Sequence, residues 1–244
     1  MKRGQVSMFV IIALILVFAI IIIFISKPDI IDFDRVRVDS EVQPIYSFVE
    51  SCVEQTVENA VNHIGDNGGY FISPESSLDN EIPVYFDKGN VEVLSLDEIE
   101  MELSKYVNQM LFFCTRNFVD FPNFEVRQEE IKSVVNVEEY LVSFDIDYSL
   151  SIAKGDESFV LKDFDIEVPV NLLGAHNASL EIVTVQEKYP SEICLTCIEK
   201  IAMDNKMIIE MRDYQDARIF SIVDASSGIN GQEFIFYFAE RLEE

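Results

Sequence analysis

LVSFDIDYSLSIA, residues 141–153, and FVLKDFDIEVPV, residues 159–170, alternate apolar and polar side chains with a period of two. In the first run Val142, Phe144, Ile146, Tyr148 and Leu150 alternate with Ser143, Asp145, Asp147 and Ser149. In the second, Phe164, Ile166 and Val168 alternate with Asp163, Asp165 and Glu167. Successive side chains of a strand point to opposite faces, so each run reads as a strand with one buried and one wet face. Lys154-Gly155-Asp156 supplies a turn between them, and together they predict an antiparallel hairpin. FEVRQ (124–128) and IKSVVNV (131–137) are candidate strands of the same sheet.

On either side the period lengthens to that of a helix. Ile45, Phe48, Val49, Cys52, Val53, Val57, Ala60, Val61 and Ile64 form one apolar stripe. Ser40 with Gln43 fits a capping box, Pro44 suits a first turn, and Gly65 reads as the stop. Residues 66–94 are less regular, with a turn at Asp87-Lys88-Gly89-Asn90. A second helix opens with Ser95 and Glu98 as a capping box and Leu94 with Ile99 as a hydrophobic staple. Its stripe is Ile99, Leu103, Tyr106, Val107, Met110, Cys114 and Phe118.

Residues 171–206 read as helical again, with strand an alternative for 180–188 and a fresh helix start at Pro190-Ser191-Glu192. KMIIEMRD (206–213), ARIFSIVD (217–224) and EFIFYFAE (233–240) alternate once more, the last two joined by a loop through Ser226–Gly231. The order of elements implies an α+β domain with helices packed on one face of antiparallel sheet.

The chain of 244 residues carries a net charge of -26. A surface this acidic repels phosphate backbones, which excludes nucleic acid as a partner. On the wet face of the hairpin, Asp145, Asp147, Asp163, Asp165 and Glu167 are brought close, and like charges opposed across strands cost about 0.2–1 kcal/mol per pair. Either salt screens them or a divalent cation is bound, though no loop has the EF-hand pattern. His63 and His176 sit in no ligand motif, and no nucleophile elbow, phosphate loop or dinucleotide fingerprint is present. Asn177-Ala178-Ser179 is a glycosylation sequon.

Four cysteines allow three pairings. Cys52 and Cys114 each lie on a helical stripe, so a bridge between those helices is the expectation. Cys194-Leu195-Thr196-Cys197 has the spacing of a disulfide, a redox pair or half a zinc site.

The opening residues decide the setting. Met8 to Ile25 are 18 apolar residues without a charge, about 27 Å of helix, close to a bilayer's hydrocarbon thickness. The expectation is a cytoplasmic flank at 1–7, a single transmembrane helix at 8–26 anchored from Met8 and Phe9 to Ile25, a stalk at 27–39 and an extracytoplasmic domain at 40–244. Lys2 and Arg3 place the N-terminus in the cytoplasm and the acidic bulk outside the cell membrane. The partners are then the lipid bilayer and, laterally, other membrane helices or surface proteins.

Lys2-Arg3-Gly4-Gln5-Val6-Ser7 resembles the class III signal peptide of archaeal type IV pilin-like proteins over about the first twenty-five residues. The resemblance implies cleavage between Gly4 and Gln5 on the cytoplasmic side. Phe9 stands where that family usually carries an acidic residue used in assembly. A plain signal anchor is the alternative. The function expected is therefore a non-enzymatic surface protein, a pilin-like component or partner-binding ectodomain without a cofactor. The rival is a tethered thiol–disulfide protein or other enzyme using Cys194 and Cys197.

Overall fold

The computed structural model describes residues 41–242, within one compact unit that begins at Glu41. It is α+β, with four α-helices among the described residues. The expected transmembrane helix is corrected here: among the described residues no helix is long and apolar enough to cross a membrane. The longest, α1 (Gln43–Asp66), carries Glu50, Glu54 and Glu58 between its apolar positions, so it has a polar side that lipid would not accept. The segments 1–7, 8–26 and 27–39, with Gly4, Gln5, Met8, Phe9 and Ile25, lie outside the described residues.

α1 is the centre of the unit. It packs against α2 (Leu96–Thr115), β8 (Phe164–Val168) and β11 (Gln232–Arg241). Ile45, Val49, Val53, Val57, Ala60, Val61 and Ile64 are fully buried. At about 1.5–3 kcal/mol for each large apolar side chain, this stripe is a principal source of stability. Ser40 lies outside the described residues, and the N-cap position is Val42, with no side-chain cap. Pro44 sits in the first turn, where its missing N–H is no loss. Gly65 does not end the helix but lies within its last turn. A Cβ there would stand 2.4 Å from the carbonyl oxygen of Ile235 and 2.8 Å from the Phe234 ring, so the glycine permits close approach to β11. The reversal follows at Gly68 and Gly69, both at positive φ.

α2 begins as its local sequence requires. The Ser95 side chain accepts from the Glu98 N–H, and Glu98 accepts from the Ser95 N–H at 2.7 Å. Ile99, Leu103, Val107 and Leu111 are buried, whereas Met110 of the expected stripe is exposed. The flank of α2 next to this stripe covers the edge strand β4 (Lys132–Glu138). Ser104 Oγ donates to the Ser133 carbonyl at 2.7 Å, and the Val137 N–H donates to Glu100 at 2.8 Å. Groups that would otherwise form an open sheet edge are thereby satisfied.

The expected hairpin forms and is broken once along its length. β5 (Leu141–Asp147) pairs with β8, while β6 (Leu150–Lys154) pairs with β7 (Glu157–Leu161). On the other side β4 pairs with β5, and β3 (Glu125–Gln128) with β6. Three long runs therefore form a meander that bends at Tyr148–Ser149 into two three-stranded sheets. Each register slips by one residue at the bend, Asp163 takes a φ of 59° there, and the buried Tyr148 hydroxyl donates to Gln128 at 2.7 Å.

The C-terminal sheet has the order β2-β1-β11-β10-β9, with β1 (Val84–Asp87) parallel to β11 and the rest antiparallel. β2 (Asn90–Val91) closes one edge and β9 (Ile208–Tyr214) the other. β10 (Ala217–Ile229) absorbs the expected Ser226–Gly231 loop: only Asn230 and Gly231, both at positive φ, turn the chain. Asp224 holds the irregular stretch by accepting from the Ser226 N–H at 2.9 Å and from the Ser227 hydroxyl. Across the face toward α1, Phe220 and Phe238 stack with centroids 4.9 Å apart, and Tyr85 stacks on Phe238 at the same spacing.

Gly65→Ala is predicted to lower stability by about 1–3 kcal/mol despite alanine's better helix propensity, because the added methyl meets backbone. The urea midpoint of the variant reads this directly.

Candidate functional site

The last two helices assemble a concave surface beside the Cys194-Leu195-Thr196-Cys197 motif. α3 (Leu172–Lys188) starts from Asn171, whose Oδ1 accepts from the Gly174 N–H at 2.9 Å. It is helical throughout, so the strand alternative for 180–188 is set aside. The buried Gln186 donates its side-chain N–H groups to the carbonyls of Tyr189 at 2.6 Å and Glu192 at 3.2 Å. That pins the connection and places Cys194 as the N-cap of α4 (Leu195–Asn205), five residues after the start expected at Pro190.

Cys194 and Cys197 are joined, with Cα atoms 5.2 Å apart, and both are half-buried. Thr196 Oγ1 lies 3.7 Å from Cys194 Sγ. α4 lays Ile198 and Ile201 inward, leaving a groove of about 360 Å³ between itself and α3. Val185 and Thr184 form one wall, Cys197 and Ile201 the other, and Glu181, Lys200 and Asp204 bring charge to it. Asn205 donates to Glu181 at 3.3 Å and ties the two helices together. Chemically, this is a partly exposed disulfide at a helix N-terminus, facing a surface with an apolar wall.

The other pair is of a different kind. Cys52 and Cys114 are bridged across α1 and α2 with Cα atoms 5.7 Å apart, and Cys52 is buried. Among the described residues no cysteine is free. With every sulfur in a disulfide, none remains as a thiolate ligand for zinc.

The acidic face is where the alternation puts it, but it is less concentrated than expected. Asp145 is directly opposite Asp165, Glu167 is opposite Ser143, and Asp147 is opposite Lys132. Lys162 pairs with Asp163 at 3.2 Å. Interleaved lysines thus offset part of the repulsion. Among the described residues no three His, Cys, Asp or Glu side chains come close enough to hold a metal ion.

Both histidines face backbone carbonyls. His63 Nε2 lies 2.8 Å from the Phe71 oxygen and His176 Nε2 2.8 Å from the Leu94 oxygen. Burial lowers the pKa of His176 and keeps its ring neutral. Asn177 is exposed on α3, whereas Ser179 of the same sequon is fully buried and donates to the His176 carbonyl at 2.7 Å. The folded helix therefore hides the hydroxyl that sequon recognition requires.

Two buried carboxyls were not singled out in the sequence. Glu240 is fully buried, neither oxygen has a hydrogen-bond partner, and burial raises its pKa to about 8 against the pull of Arg218. Arg218, opposite it in register, is shared with Asp213 at 2.7 Å. The signal was present in EFIFYFAE, where the period of two puts Glu240 on the face of Phe234, Phe236 and Phe238. Asp224 behaves oppositely: burial works to raise its pKa, but the bonds from Ser226 and Ser227 outweigh that and hold it low.

No protein-family model, curated protein or solved structure matches the chain.

Glu240 yields a signed expectation. Its folded pKa near 8 exceeds the ordinary 4.5, so the folded protein holds a proton that the unfolded chain gives up between those values. Stability then falls as pH rises through that window. Urea midpoints from pH 5 to 8 decline in the wild type and flatten in Glu240→Gln, whose amide mimics the neutral acid. The disulfides also separate in energy. A loop spanning 62 residues is worth roughly 4 kcal/mol of chain entropy, and one spanning three roughly 2. Double alanine variants compared by thermal unfolding are expected to show that order.

Proposed function

We propose that the chain is an exported, non-catalytic protein displayed at the cell surface, whose disulfide-stapled α+β domain binds a partner. The Cys52–Cys114 bridge carries this reading. A disulfide clamping the two helices of the core persists where the compartment is oxidising and is rare where glutathione keeps thiols reduced. The net charge of -26 suits a domain standing in a saline exterior and not against nucleic acid. Each imidazole has its Nε2 against a backbone carbonyl, a structural contact. The α3/α4 groove, with apolar Val185 and Ile201 and charged Glu181, Lys200 and Asp204 in its lining, offers a concave surface to a ligand.

Likeness of the Gly4-Gln5 stretch to a class III processing site supports export by the pilin-type route. Phe9, in place of the acidic residue that pilin assembly uses, favours a binding component over a filament subunit.

The test is a thiol count and a surface digestion. Freshly isolated protein is expected to show no alkylatable cysteine before reduction, and protease added to intact cells is expected to remove the domain. Four free thiols, or a domain protected until lysis, would overturn the proposal. Mass measurement of the mature N-terminus checks the route, with Gln5 as the expected first residue.

A further inference from the structure

We infer that Cys194–Cys197 is an exchangeable disulfide through which a partner's thiol is captured in the α3/α4 groove. The inference rests on the exported reading, because the pair must arrive oxidised. In the other bridge Cys52 is buried at 3 % exposure and Cys114 is half-buried, and the bond joins the two helices of the core. Cys194 and Cys197 are half-buried and separated by the exposed Leu195 and Thr196. The pair closes a loop spanning only three residues, and Gln186 holds the preceding connection independently of it. Opening this bond therefore need not open the fold.

The two sulfurs are not equivalent. Cys197 lines the groove, next to Ile201 and Lys200, so it is the sulfur that a bound partner reaches. Cys194 is the N-cap, where the free N–H groups of the first turn favour negative charge. Thr196 Oγ1 at 3.7 Å can donate to a sulfur there. Exchange then has a direction. The partner's thiolate attacks Cys197 Sγ, a partner–Cys197 disulfide forms, the Cys194–Cys197 bond breaks, and its electron pair leaves as thiolate on Cys194. A second thiol of the partner, attacking the partner's own sulfur, releases the partner as a disulfide and leaves Cys197 reduced. Two electrons have passed from a dithiol to this protein, and no other oxidant is consumed.

The experiment uses the full chain as purified and reduced glutathione as the probe. After timed exposure, acid quenching, alkylation and peptide mass mapping, Cys194 should carry the alkyl label and Cys197 the glutathione adduct. Cys52–Cys114 stays closed, and the far-UV circular dichroism is unchanged. The Cys194–Cys197 pair is expected to open faster than Cys52–Cys114 by about tenfold or more. Thr196→Val should slow its opening several-fold at unchanged melting temperature, and Thr196→Ser should restore it. Two intact disulfides that both resist glutathione, or that open only together with loss of helical signal, overturn the exchange while leaving the exported reading in place. An adduct found on Cys194 overturns the direction. Four free thiols in the starting material overturn the exported reading itself and the inference with it.

Discussion

Helix α1 must bury a stripe that two unconnected sheets both need. β8 of the bent meander lies against it on one side and β11 of the C-terminal sheet on another, while α2 is clamped to it by Cys52–Cys114. α3 also reaches both, lying against β1, β10 and β11 of the C-terminal sheet and against β4 of the meander. The close approach to β11 depends on the absence of a side chain at Gly65, and the reversal after it depends on Gly68 and Gly69 at positive φ. The Tyr85 hydroxyl then donates to the Gly68 carbonyl at 2.7 Å, so the aromatic stack and the helix end hold each other in place.

The bend in the meander separates two buried stretches of the same run, Val142, Phe144 and Ile146 before it and Leu150 and Ile152 beyond it. One extra residue per ladder turns the chain at Tyr148, and a buried hydroxyl satisfied by Gln128 fixes the corner. The side away from the core stays polar, and its carboxylates are tolerated because Lys132 and Lys162 stand among them.

The two disulfides divide the work. One joins distant parts of the chain across the core helices, where it restricts the unfolded ensemble and has one sulfur, that of Cys52, buried. The other closes a single helical turn at the surface, where it constrains little and can be reached. A polar group in the wrong place for stability marks the opposite end of the same design: Glu240 is kept in the aromatic layer as a neutral acid, at the position where β11 ends beside Arg218.

The sequence by itself determined what acts within a few residues. The alternating runs, the Ser95–Glu98 cap, the apolar stripes of α1 and α2 and the turn at Lys154–Asp156 are local signals, and local sterics and hydrogen bonds enforce them. Asn230-Gly231 marks a tight hairpin inside what read as a longer loop, and Val84–Asp87 is a strand within a stretch read as irregular. The Cys52–Cys114 bridge is the one the two helical stripes led us to expect, whereas tertiary structure alone decided that β1 lies parallel to β11, where the meander bends, and that Cys197 faces a groove completed by α3. Those outcomes depend on which distant surfaces bury one another, a choice governed by the shape of the whole core and by no short segment of the chain.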